Sequence, residues 1–300
     1  MFKDERGVLS GPMAAALQQE FGVPTKISPD DMLMNALVWV FKGDVETAFR
    51  NYIEDGRRNA LMVKEAVEQY APRGKPKRPH VLDFASGYGR VGRHIPVVAP
   101  RWRYTAMDIH RQAVTFNKDE LGLQTILSHQ EPDQIRIGPR FHAIFALSFF
   151  SHVRKEHFVP WLEALHRMLL PGGVLIFTTH GPESHATALP QVTMDEDGYG
   201  MLEESEQHDL SKDYYIHAVT YQPFVLKAIA ATAGLRLIGL REKAWWGHQD
   251  MYAVRNIAPA REVETKRIIA SGLRQVRTEV KETARGALQT IKRAVRRRPG

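Results

Sequence analysis

Between residues 80 and 256, short apolar runs alternate with longer stretches of helical spacing. A strand can reach a parallel neighbour only through a crossover of a dozen or more residues, usually a helix, so this alternation reads as crossover units. The apolar runs fall at Val81–Phe84, Tyr104–Asp108, Thr125–Ser128, His142–Leu147, Gly173–Thr179, Leu235–Leu240 and Met251–Arg255. They predict an α/β fold with a doubly wound, mostly parallel sheet of seven strands and helices on both faces.

The flanking segments differ in character. Residues 1–27 hold Gly, Pro and charge without sustained periodicity and read as a leader. Residues 28–77 read as an N-terminal helical cap and linker: Ser28 is the expected cap of a first helix, Pro29 suits its first turn, and a second helix is expected from about Asn59. The core domain is placed at 78–257, beginning after a linker that contains Pro72, Gly74, Pro76 and Pro79. Within it, residues 181–221 are long for a strand-to-helix connection and rich in acids, which reads as a lid or substrate platform.

Residues 258–300 read as a basic amphipathic helical tail. Twelve Lys/Arg and four Glu give residues 261–300 a balance of +8 within a chain whose net charge is only +7, so the body is nearly neutral. The apolar face Leu273, Val276, Val280, Ala284, Leu288, Ile291 and Val295 suits an anionic membrane surface or a partner helix. A neutral body argues against nucleic acid as the partner. The chain has no cysteine, which excludes disulfides, thiolate metal sites and a Cys nucleophile. Charged residues at Lys3–Arg6, and no run of eighteen apolar residues, point to a cytoplasmic protein, peripheral at most to a membrane.

The chemistry begins at Val81–Gly92, where an apolar strand runs into a turn containing Gly87 and Gly89 and a helix follows. Missing side chains let such a backbone approach a nucleotide-like ligand closely. Gly87, Gly89 and Gly92 also satisfy the spacing of a dinucleotide fingerprint, with Asp108 near the position of a ribose-binding acid, so an NAD-dependent oxidoreductase is an alternative. Asp83, four residues before Gly87, separates the two. A carboxylate there repels a diphosphate but attracts a cationic sulfonium with an α-ammonium group. The same acid could also satisfy backbone donors at the turn.

The run Val81–Arg90 resembles the first motif of class I S-adenosylmethionine-dependent methyltransferases, and Ala106–His110 resembles their second. Ile144–His152 is similar to their fourth strand and loop, and Leu169–Phe177 to the turn before their fifth strand. The resemblance covers roughly residues 78–256 and implies S-adenosylmethionine as cofactor. It also implies that Asp83 lies near the methionine part, that Gly87 and Gly89 give backbone contact, and that Asp108 holds the ribose hydroxyls. Ile109 would pack on the adenine, and Ser128 or Gln130 would meet its edge. Two positions depart from the family pattern: Ala85 stands where a glycine often opens the turn, and His142 where many relatives carry Asp.

A sulfonium methyl is already activated, so the protein has to align a nucleophile and remove its proton. Ligands in doubly wound sheets sit beyond the carboxyl ends of the strands, which makes His152 the first candidate base, followed by His180 and His248. A surface or hydrogen-bonding role is the competing explanation for each of these histidines. Trp245, Trp246, Gln249 and Asp250 are candidate substrate contacts, although the two tryptophans would equally pack a hairpin. No His spacing or paired acids suggest a metal site, and none is expected. The function expected is methyl transfer to an unidentified small-molecule, lipid or glycan acceptor, at oxygen. The non-enzyme alternative is a cofactor-binding scaffold acting through the basic tail.

Overall fold

The structure is a computed structural model that describes residues 12–71, 76–135, 138, 140–203 and 210–257. The described elements belong to one compact unit, Met1–Ile257; the second unit, Ala258–Gly300, containing the expected basic helical tail, lies outside the described residues.

Five parallel strands form the centre in the order β3 (Thr125–Leu127), β2 (Arg103–Asp108), β1 (His80–Phe84), β4 (Phe141–Ala146) and β5 (Leu169–His180). Short helices α4 (Ile95–Val98) and α5 (Arg111–Asp119) and the longer α6 (Lys155–Met168) make the crossovers. The sheet has nine strands rather than the expected seven. The two extra strands, β6 (Tyr199–Leu202) and β7 (His217–Thr220), arise inside the long insertion, after α7 (Pro182–Thr187). At four residues each, they are too short to show alternation in the sequence. Only His180 of β5 pairs with β7, so this ribbon leaves the sheet at the end where β5 stops. The chain continues through α8 (Gln222–Ala231) to β8 (Leu235–Trp245) and β9 (Gln249–Asn256). β9 lies antiparallel to both β5 and β8, closing the other side of the fold.

The central strands are buried on both faces, as parallel strands must be when helices cover them. Leu82, Phe84, Ile144 and Phe177 enter one core; Val81, Ala106, Phe145 and Ile176 enter the other. Each such side chain contributes roughly 1.5–3 kcal/mol on burial.

The cap differs from the expectation in two places. Helix α2 (Met32–Val40) follows α1 (Pro12–Phe21), and its cap is Asp31, which accepts from Leu33 N at 3.0 Å and Met34 N at 3.3 Å. Ser28 instead accepts from Asp30 N, in a turn upstream. The second cap helix, α3, runs from Val45 to Tyr70 as one 26-residue helix rather than starting near Asn59. Its buried polar residues Asp55 and Asn59 interrupt the apolar pattern from which a boundary was read. Gly56 explains their placement: a Cβ there would collide with the Arg90 carbonyl oxygen, so glycine lets α3 lie directly against the loop after β1.

Candidate functional site

A cleft of about 530 Å³ opens beyond the carboxyl ends of β1, β2, β3 and β4, roofed by the N-terminal cap and the insertion. Its floor is the turn Ala85–Gly89. Ala85, Gly87 and Gly89 all have positive φ, at 59°, 53° and 72°. At Gly89 a side chain would also strike Asn117 and Leu121, whereas a Cβ at Gly87 meets no protein atom within 4 Å. The turn is held from below. Asn117 Nδ2 donates to Gly87 O at 2.8 Å, and the Gly87 N–H donates to Asp108 Oδ2 at 2.7 Å. Asp108 Oδ1 accepts from His110 N at 2.9 Å, so this carboxylate is fixed at the end of β2.

Arg93 is fully enclosed and joins the turn to the cap. It donates to Gly89 O at 3.1 Å, to Tyr88 O at 3.3 Å, to Pro24 O at 3.1 Å and to Lys26 O at 2.9 Å. A second junction centres on Asp55 of α3, which accepts from Arg90 of the turn, from Asn59 Nδ2 at 3.0 Å and from Trp246 Nε1 at 3.0 Å. The Arg90 guanidinium lies over the Trp246 ring at 5.1 Å.

Asp83 sits at the end of β1 and accepts from Tyr104 Oη at 2.7 Å. Burial pushes its carboxyl up to about 8, with the Tyr104 hydrogen bond opposing and the Asp108 charge reinforcing the shift. His152 stands just after β4. Its Nδ1 lies 2.9 Å from Ile216 O, and because a carbonyl only accepts, Nδ1 carries a proton. Tyr215 stacks on the imidazole, with centroids 4.4 Å apart and planes 6° from parallel.

Of the residues singled out in the sequence, Asp83, Ala85, Gly87, Asp108, Ile109, Ser128, Gln130, His152 and Trp246 line the cleft. Gly89, His180, His248, Trp245, Gln249 and Asp250 do not. Trp245 is packed in the core, and only its neighbour Trp246, 40% exposed, faces the opening. Gln249 acts one step back: it accepts from Thr178 Oγ1 at 2.7 Å and donates to Ser148 Oγ, itself in the cleft, at 3.0 Å. Asp250 accepts from Lys243 N at 3.0 Å, within the β8–β9 pair. His180 lies behind His152, centroids 6.0 Å apart, and burial pushes its pKa down to about 3. His248, lowered by burial as well, lies beyond it, 2.9 Å from Ser184 Oγ.

Residues 82–175, which contain the turn, Asp108 and His152, match a family model described as a methyltransferase domain. Over these residues the chain carries a methyltransferase domain. The methyltransferase has the fold of Streptomyces venezuelae DesVI, at 17% identity, covering 74% of this chain and 96% of that one with a TM-score of 0.50. It is also similar to two further solved structures. An amino pentose methyltransferase from Micromonospora echinaspora, CalS10, shows 15% identity over 70% of this chain and 95% of that one (TM-score 0.49). The Burkholderia thailandensis 1,6-didemethyltoxoflavin-N1-methyltransferase shows 15% identity over 84% and 92% (TM-score 0.46). A search of curated proteins found no match.

The cleft of the methyltransferase fits its cofactor, S-adenosylmethionine. The open space beside Gly87 leaves the backbone accessible, and the acids Asp83 and Asp108 both line the cleft at the turn, where a cationic ligand would draw Asp83 towards its charged form. The cap residues Asp31 and Tyr52 and the insertion residues Tyr214 and Tyr215 reach the same cleft and were not read from the sequence. Nothing in their local pattern marks them, because they are brought in by elements folded over the sheet from both sides. Tyr88 and Arg90, inside the motif itself, could have been anticipated from their place in the turn. Lys155 lies 2.7 Å from both Asp195 and Asp197 of the insertion, so these two acids tie it to α6.

Proposed function

We propose that the protein transfers the methyl group of S-adenosylmethionine to a hydroxyl oxygen of a small-molecule acceptor, with His152 as the base. The observation that carries this reading is the place of His152 in the cleft wall just after β4, its Nδ1 donating to the Ile216 carbonyl; the reading assigns the proton transfer to Nε2. When bound, the cofactor would supply a sulfonium-activated methyl group, and His152 would take the proton of the acceptor oxygen. Asp108 holds the ribose hydroxyls and Ile109 packs on the adenine, with Ser128 and Gln130 at its edge. Asp83 and the Gly87 backbone face the methionine part, while Gly89 serves through its conformation. His180 and His248, set back from the cleft and depressed by burial, stay neutral and support the wall on which His152 stands.

His152→Ala is expected to lower turnover about 10²–10⁴-fold, the usual contribution of a positioned base. The test measures methyl transfer from labelled cofactor together with cofactor affinity by calorimetry. Lost turnover with unchanged affinity supports the reading; near-normal turnover removes His152 from the mechanism. Heat of binding with NAD, and none with S-adenosylmethionine, would overturn the cofactor assignment as well.

A further inference from the structure

Eight Phe, Tyr and Trp side chains line the cleft, among them Tyr52, Phe149, Trp161, Tyr214, Tyr215 and Trp246. Two of them are held flat by histidines, Tyr215 on His152 and Tyr214 on His157, with the second pair 5.1 Å apart and 12° from parallel. Three of their polar atoms are engaged by carboxylates of the protein. Tyr52 Oη donates to Asp31 Oδ2 at 2.5 Å, Tyr214 Oη to Glu131 Oε1 at 3.3 Å and Trp246 Nε1 to Asp55 Oδ2 at 3.0 Å. Ser148 Oγ is engaged by Gln249 and lies 2.9 Å from Ser151 Oγ, and Arg90 is held by Asp55. The aromatic part of these walls thus offers a ligand ring faces and edges, with the polar atoms of Tyr52, Tyr214 and Trp246 already engaged.

A sugar bound here would leave several hydroxyls without partners, and each buried polar group so stranded weakens binding. A flat apolar ligand suffers no such loss and gains ring contacts with the walls. The base points the same way. A phenolic hydroxyl, with a pKa near 10, lies about six units closer to imidazole than an aliphatic hydroxyl, which is near water at about 16. Proton transfer to a neutral histidine is correspondingly easier from the phenol.

We infer that the acceptor is a planar aromatic molecule bearing a phenolic hydroxyl, bound between the aromatic walls with its oxygen at His152. The inference rests on the reading of His152 as the base for oxygen methylation, and the test separates the two. The probes are 2-naphthol, its saturated counterpart decahydro-2-naphthol, methyl glucoside and 2-naphthylamine, each titrated into the full-length protein saturated with S-adenosylhomocysteine. 2-Naphthol is expected to bind at least thirtyfold more tightly than the saturated alcohol or the sugar. With S-adenosylmethionine it should yield the methyl ether. Trp246→Ala should weaken 2-naphthol at least tenfold, and by a larger factor than it weakens S-adenosylhomocysteine, and Trp246→Phe should restore most of the loss. Equal binding of 2-naphthol and the saturated alcohol, or no effect of Trp246→Ala, overturns the aromatic acceptor and leaves His152 to its own variant. Tight 2-naphthol binding with methylation of 2-naphthylamine alone keeps the aromatic acceptor and overturns the oxygen reading.

Discussion

Ala85 occupies a left-handed backbone position, φ 59°, at the first bend of the turn that floors the cleft. A Cβ there costs about 1–2 kcal/mol, while glycine would lose about 0.5–1 kcal/mol more conformational freedom on folding. The steric cost is the larger, so Ala85→Gly is expected to stabilise the protein by up to about 1 kcal/mol, readable as a raised denaturant midpoint. A lowered midpoint would mean that the Ala85 methyl has packing value that its conformation conceals. Asp108 presents the opposite case, a residue legible in the sequence whose workload is larger than the motif suggests. Its carboxylate already receives the Gly87 and His110 N–H groups, so it shapes the turn while lining the cleft. Asp108→Ala should weaken S-adenosylmethionine binding by roughly 1.5–3 kcal/mol, the range for hydrogen bonds to a charged group. Calorimetry giving unchanged affinity in a folded variant would remove Asp108 from the cofactor site.

At the level of elements, the strands from β1 to β5 were readable because each is apolar, flanked by turn residues and, except between β3 and β4, separated by a helical crossover. The cap was harder to place. Ser28 and Asp31 are both chemically able to cap, and only the burial of Met34 and the Tyr52–Asp31 hydrogen bond select Asp31. The strands β6 and β7 escaped notice because four residues carry too little periodicity and their segment is dominated by acids. Helix α3 shows a third kind of difficulty, since Gly56 in its middle looks like a weakness until its neighbour is known. Alanine there would gain about 1 kcal/mol of helix propensity. It would also push against the Arg90 backbone, which cannot rotate aside, and overpacking of this kind costs about 1–3 kcal/mol. Gly56→Ala is therefore expected to destabilise by up to roughly 2 kcal/mol and to weaken cofactor binding, because Arg90 belongs to the turn. Thermal unfolding and calorimetry test both parts, and a stabilised variant with full affinity would show that α3 does not hold the loop.

Across the whole molecule, the legible part of the site is the part encoded locally: a turn, an acid after β2 and a histidine after β4. The rest depends on contacts between residues far apart in sequence, such as Asp55 with Trp246 and Arg93 with the carbonyls of Pro24 and Lys26. Buried titratable groups translate this packing into a dependence on pH. Asp83 titrates near 8 in the fold against 3.8 when unperturbed, so the native state binds the extra proton and stability falls as pH rises from about 4 to 8. Asp31 and Asp250, also raised by burial, act in the same direction. His94 and His180, pushed down to about 3 from 6.5, act oppositely: the unfolded chain takes up their protons first, so stability falls as pH drops below 6.5. His80, His142 and His248, also lowered by burial, act with His94 and His180, so the alkaline loss begins once these histidines are largely neutral in either state and the stability maximum lies near neutral pH. From pH 7 to 8 the ligand-free protein should lose about 1 kcal/mol through Asp83. Asp83→Asn should flatten that alkaline limb. Saturating S-adenosylmethionine should flatten it too, because a cation beside Asp83 favours its charged form and lowers its pKa. Denaturation measured from pH 5 to 9, with and without the cofactor, checks each limb. An alkaline limb unchanged by the cofactor would place its cationic end away from Asp83.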